Sequence, residues 1–152
     1  MRFRFLAPLS LVACLALYPG MAHADYLSNA RGAMKKGDLK TAQIELRNAI
    51  RNDPQNAEAH FWLGRVMFEL GDPVAAEREA IAARERGYDP SQAVPLLAQA
   101  LLAQNKFDAL LEMLKPEGKN AALDASILVS RGYAQIGLKR PEDAQKSFAE
   151  AQ

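Results

Sequence analysis

Apolar and small residues recur along this chain at helical spacing and are interrupted at regular intervals by turn residues. The pattern predicts a helix over 26–36, a turn at Gly37-Asp38 and a second helix over 39–52, ended by Asp53-Pro54. The same sequence of elements follows over 58–70 and 74–85, separated by Gly71-Asp72-Pro73, where Gly71 closes one helix, Asp72 caps the next and Pro73 fills its first position. Tyr88-Asp89-Pro90 is expected to end that unit. A third pair is predicted over 94–104 and 107–114 with Asn105 in the turn, stopped at Lys115-Pro116-Glu117-Gly118, and 119–122 reads as a polar link.

Gly37, Gly71, Asn105 and Lys139 stand 34 residues apart. Five residues after each comes Ala42, Ala76, Leu110 or Ala144, and seven before each comes Ala30, Gly64, Ala98 or Gly132. A 34-residue period means stacked helix pairs, each too small to bury its apolar faces alone. The fourth pair, from about Asp124, keeps the period in its second helix, from Glu142. Its first helix is read differently: Gly137 is taken as the turn residue, with Val129, Ser130 and Tyr133 in the apolar, small and large positions, which requires a two-residue insertion in the turn. The units are then approximately 25–56, 57–90, 91–118 and 124–152.

Composition adds that a core is available, since 49% of residues are hydrophobic. The formal charge of +1 argues against a nucleic-acid binder. Residues 1–24 read as a secretory signal peptide: Arg2 and Arg4, an apolar run from Phe5 to Leu17, a break at Pro19-Gly20, and Ala22-His23-Ala24 before a cleavage point. Leu11-Val12-Ala13-Cys14 also reads as a lipobox in which Cys14 would be lipidated. The apolar segment before Cys14 is short and the residues after it are apolar, so cleavage after Ala24 is expected. Either route exports the chain and places it in the periplasm, anchored to the outer membrane if Cys14 carries lipid.

The stretch from Ala57-Glu58-Ala59-His60-Phe61-Trp62-Leu63-Gly64 through Gly71-Asp72-Pro73-Val74-Ala75-Ala76-Glu77 resembles the tetratricopeptide repeat (TPR) consensus over a full repeat. More narrowly, Gly37-Asp38-Leu39-Lys40-Thr41-Ala42 with Leu46-Arg47-Asn48-Ala49, and Tyr88-Asp89-Pro90 followed by Val94 to Gln104, resemble the TPR proteins of the PEP-CTERM/exosortase system. The resemblance implies an all-α, right-handed superhelical solenoid of about four units. It also implies an exported interaction scaffold in protein sorting and exopolysaccharide production at the bacterial envelope. An assembly factor for outer-membrane protein or polysaccharide-secretion complexes is the alternative.

Little in the sequence points to catalysis. After removal of the leader, His60 is the one histidine left and no cysteine remains, too few for a zinc site of the usual kind. No phosphate loop or nucleophile elbow is present. His60 is expected to pack, and the acids Glu77, Glu79, Glu142 and Asp143 to favour the N-terminal ends of second helices. No enzyme activity, cofactor or metal is expected.

The candidate site is the concave face. The resemblance implies that first helices line it, which selects Leu27, Arg31 and Lys35 in the first unit and Phe61, Arg65, Phe68 and Glu69 in the second. Gln99 and Leu102 follow in the third, and Ile127, Arg131 and Gln135 in the fourth. Phe61, Arg65 and Phe68 share a helix face by their spacing. Such a groove suits an extended peptide carrying carboxylates, held by guanidinium forks. The alternative is that these arginines pair with Glu45, Glu58 or Glu69 and hold no ligand. Trp62, on a neighbouring face, is expected to pack against the first unit.

Overall fold

The computed structural model describes residues 20–152, with side chains from Tyr26 onward. The leader's apolar run and Cys14 lie outside the described residues. Eight helices follow one another: α1 (Gly20–Lys35), α2 (Leu39–Asn52), α3 (Ala57–Glu69), α4 (Pro73–Glu85), α5 (Pro90–Ala103), α6 (Phe107–Met113), α7 (Ala121–Gly137) and α8 (Pro141–Glu150). Each first helix packs antiparallel to the second of its pair, and each second helix also receives the first helix of the next pair, as α2 receives α3 and α4 receives α5. The described residues form an all-helical repeat solenoid.

The four second helices begin at Leu39, Pro73, Phe107 and Pro141, and the period holds at all four. The reason lies in the turns. Gly37, Gly71, Asn105 and Lys139 all take left-handed backbone, with φ of 73°, 82°, 57° and 59°. In each turn that residue's N–H donates to a carbonyl three back, and the next N–H donates to one five back: Gly37 to Met34 and Asp38 to Ala33, through Lys139 to Ile136 and Arg140 to Gln135. This is the Schellman closure, which satisfies the last carbonyls of the first helix. Asp38 and Asp72 then cap α2 and α4 by accepting from Thr41 N–H at 3.0 Å and Ala75 N–H at 2.9 Å. Lys106 and Arg140 occupy the same position without a side-chain cap.

Four expected boundaries are corrected. α7 runs through Gly137, and Lys139 is the turn residue, so the fourth unit has no insertion. The small position there is accordingly Gly132, not Ser130: a Cβ on Gly132 would enter the Phe148 ring. The link expected over 119–122 is shorter, because Asn120 caps α7 by accepting from Leu123 N–H. Finally, Pro90 opens a helix instead of ending a unit. Asp89 accepts from Ser91 N–H at 2.9 Å, the arrangement already seen at Asp72-Pro73, and Pro95 lies inside α5. α1 also begins earlier than residue 26.

Two apolar clusters run into each other. One joins Ala30, Ala42, Leu46, Leu63, Val66 and Ala76 across the first two pairs. The other joins Phe61, Ala80, Leu97, Leu101, Leu110 and Ile127 across the rest. Gly64 sits where α3 meets its neighbours: a Cβ there would lie 3.1 Å from Leu96 Cδ2 and 3.3 Å from Glu79 Cβ.

α6 departs from the pattern. It has 7 residues where α2 has 14 and α4 has 13. Leu114 already has extended backbone, two residues before Pro116. The carbonyls left open are taken by Arg131 of α7, whose Nη1 donates to Leu111 O at 2.7 Å and Leu114 O at 2.9 Å.

Candidate functional site

The strict period places Leu27, Phe61, Pro95 and Val129 in one column of the first helices. Arg31, Arg65, Gln99 and Tyr133 form a second, and Met34, Phe68, Leu102 and Ile136 a third. The first helices neighbour one another, α3 touching α5 and α5 touching α7. Arg31 of α1 reaches Glu58 of α3 as a hydrogen-bonded ion pair. Between α1 and α3 lies a cavity of about 460 Å³ lined by Arg31, Met34, Lys35, Trp62, Arg65 and Glu69.

Trp62 sets its geometry. Its indole N–H donates to Glu58 Oε1 at 3.1 Å, the same carboxylate oxygen that Arg31 holds. Its ring stands edge-on to Phe61, centroids 5.2 Å apart, and Phe61 is stacked on Tyr88 at 4.4 Å. Arg65 lies over the indole, its guanidinium carbon 5.6 Å from the centroid. A guanidinium over tryptophan is held in place without being neutralised. Burial first, and then the Glu58 and Asp89 carboxylates, push the Tyr88 phenol above its usual 10.0, so it stays neutral in the stack.

The cations are only loosely committed. Arg65 reaches Glu69 at 3.6 Å, with both side chains about half exposed. Exposed pairs of this kind contribute about 0–1 kcal/mol. An incoming carboxylate that takes the Arg65 guanidinium therefore displaces little. Arg31 and Arg65 do pair with Glu58 and Glu69, and a groove lies between the two helices that carry them.

Of the residues selected from sequence, Arg31, Lys35, Arg65 and Glu69 line this groove. Leu27 and Phe68 are half-buried against the adjoining core. Gln99 is exposed further along α5, and Leu102 is half-buried. Four assignments are corrected. Phe61 is 3% exposed because the Tyr88 ring, arriving from the loop before α5, covers it. Ile127 is a core residue, and Gln135 is buried on the Ser147 hydroxyl at 2.8 Å. Arg131 is turned onto α6. All three fourth-unit errors follow from the two-residue shift. The columns are instead continued by Val129, Tyr133 and Ile136, exposed by 38%, 57% and 54%. Sequence reasoning also missed Met34 and Trp62 as groove residues. The unshifted period would have found the fourth-unit set, and nothing local marks Trp62.

His60 is buried with Glu79, its Nδ1 2.7 Å from Glu79 Oε2, while its Nε2 donates to Pro54 O at 3.2 Å. Arg86 Nε donates to the same carbonyl at 2.8 Å, and Arg78 holds the other Glu79 oxygen at 3.0 Å. This seam fastens the loop after α2 to α3 and α4, a role unlike the helix-dipole role expected for Glu79. Glu77 likewise binds Lys106 and Gln104, both at 2.7 Å. Among the described residues no group of three His, Cys, Asp or Glu is placed to hold a metal ion. None of the described helices is long and apolar enough to cross a membrane.

Residues 27–90 match the family model described as tetratricopeptide repeat. That stretch runs from within α1 to the start of α5 and includes every residue lining the α1–α3 groove. No curated protein matches the chain.

Proposed function

We propose that the tetratricopeptide repeats of residues 27–90 capture an extended, carboxylate-bearing peptide in the α1–α3 groove, and that the protein acts by binding and not by catalysis. The observation that carries this reading is the groove itself, in which Arg31, Lys35 and Arg65 surround an indole that is already oriented. Guanidinium forks take carboxylates two-pronged, and an apolar floor takes the side chains between them. The protein works at the bacterial envelope, exported by residues 1–24, within PEP-CTERM protein sorting and exopolysaccharide production. Support for that setting is the sequence resemblance.

The test uses a fluorescein-labelled peptide of alternating Asp and Leu, read by anisotropy against an Asn/Leu control. Arg31→Glu with Arg65→Glu reverses two exposed charges, so far-UV circular dichroism stays unchanged. Peptide affinity should fall at least about tenfold, since each charge-assisted hydrogen bond contributes about 1.5–3 kcal/mol. Equal affinity of the variant and the native protein would remove the groove from the proposal.

A further inference from the structure

A second cavity, of about 380 Å³, opens on the opposite edge of the array between the start of α5, the end of α6 and the start of α7. The repeat explains why it exists here and not one unit earlier. Moving 34 residues back along the chain, Val94 corresponds to His60, Met113 to Glu79 and Asn120 to Arg86. At the earlier junction those three residues form the closed seam, with His60 on Glu79 and both His60 and Arg86 on Pro54 O. At the later junction the cross-links are gone, and α6 stops at Met113 where an ordinary second helix would continue. The space is left with an apolar floor of Val94, Leu114, Leu123 and Ile127.

The rim decides what such a space accepts. Three acids stand there, and each already holds a donor: Asp89 the Ser91 N–H, Asp124 the Glu117 and Gly118 N–H groups at 2.9 Å, and Glu117 the Lys119 ammonium at 2.9 Å. Arg84 and Lys115 line the same cavity, and neither is among the salt bridges of the described residues. Asp89 and Asp124 keep their charge, but their oxygens are turned to the N–H groups they accept from, so an arriving acid meets two cations, Arg84 and Lys115, that hold no ion pair. The volume lies in the range of small-molecule sites, about 300–1,000 Å³.

We infer that this cavity is a binding site for a small amphipathic carboxylate, its apolar body on Val94, Leu114, Leu123 and Ile127 and its acid group held by Arg84 and Lys115. The site is independent of the α1–α3 groove, and its ligand is a free small molecule, not a peptide.

The experiment is a two-dimensional amide and methyl NMR titration of the folded protein with sodium decanoate, kept below its micelle concentration. Saturable shifts are expected at Val94, Leu123 and Ile127 and across 113–120. Arg84→Glu with Lys115→Glu, at surface positions, should weaken binding about tenfold or more while leaving the spectrum folded. Val94→His with Met113→Glu restores the polar seam of the earlier junction and should abolish the shifts. Decanol should bind the native protein less tightly than decanoate and be indifferent to the charge reversal. Absence of saturation, shifts centred on Trp62 and Arg65, or equal decanoate affinity after charge reversal would each overturn the inference.

Discussion

Lys139→Gly should make this protein more stable, although lysine is the better helix former and nothing is added. Lys139 sits at φ 59°, where its Cβ crowds the following carbonyl. That conformation costs an L-residue other than glycine roughly 1–2 kcal/mol. Glycine removes the crowding and returns about 0.5–1 kcal/mol to the unfolded chain as backbone entropy. The Lys139 side chain is exposed, so little else is lost. Both turn bonds, Lys139 N–H to Ile136 O at 2.9 Å and Arg140 N–H to Gln135 O at 2.8 Å, use only backbone and survive. The net gain is about 0.5–1 kcal/mol, a rise of roughly 1–4 °C in melting temperature for a chain of this size. Asn105→Gly, at φ 57°, provides the internal scale: asparagine tolerates this region, so its gain should be smaller. Urea unfolding followed by circular dichroism, with amide exchange in α7 and α8, measures both. A destabilised Lys139→Gly would mean that the turn is not at Lys139, and the fourth unit would again need its insertion.

Two further perturbations test the seams. Arg131→Met keeps the length of the side chain but leaves the Leu111 and Leu114 carbonyls without their charged donor, at a cost of about 1.5–3 kcal/mol in urea and with exchange accelerated first in α6. In the buried seam, Glu79→Leu alone strands the His60 ring and should cost about 1–3 kcal/mol, whereas His60→Leu with Glu79→Leu should cost less than the two single changes added together. An additive double-mutant cycle there would show that the two side chains are not coupled.

How much of this could be read from sequence divides by range. The second helices were legible at their starts because Asp-Pro and Gly-Asp are local signals with local causes, as at Asp72-Pro73. Pro90 carried the same signal and was misread as a stop, although Asp89 beside it is the cap. The fourth unit was misread because Gly137 has the intrinsic preference for a turn, while Lys139 has none. The requirement of α8 to begin at Pro141 overrode that preference, and only the period records it. In the groove, the exposed charges Arg31, Lys35, Arg65 and Glu69 followed from the repeat resemblance, which puts first helices on the concave side, combined with helix spacing. Phe61 did not, because the ring that buries it comes from Tyr88, 27 positions away. The Glu58 carboxylate that orients Trp62 also holds Arg31 of another helix, again a contact between elements that no local pattern reports.

The brace from Arg131 has a consequence for cooperativity. A 7-residue helix is far below the length at which a helix persists on its own. The last carbonyls of α6 are satisfied from α7 and not from within its own pair. Melting of α7 therefore removes the closure of α6, and the two must open together. α6 is then tied across the linker to the fourth repeat as well as to α5 of its own pair, whose Leu97 and Leu101 share its core through Leu110. The sequence repeat is therefore not a self-contained folding unit in this half of the array: the loss of α7 should be felt in α6, across the linker that divides the repeats.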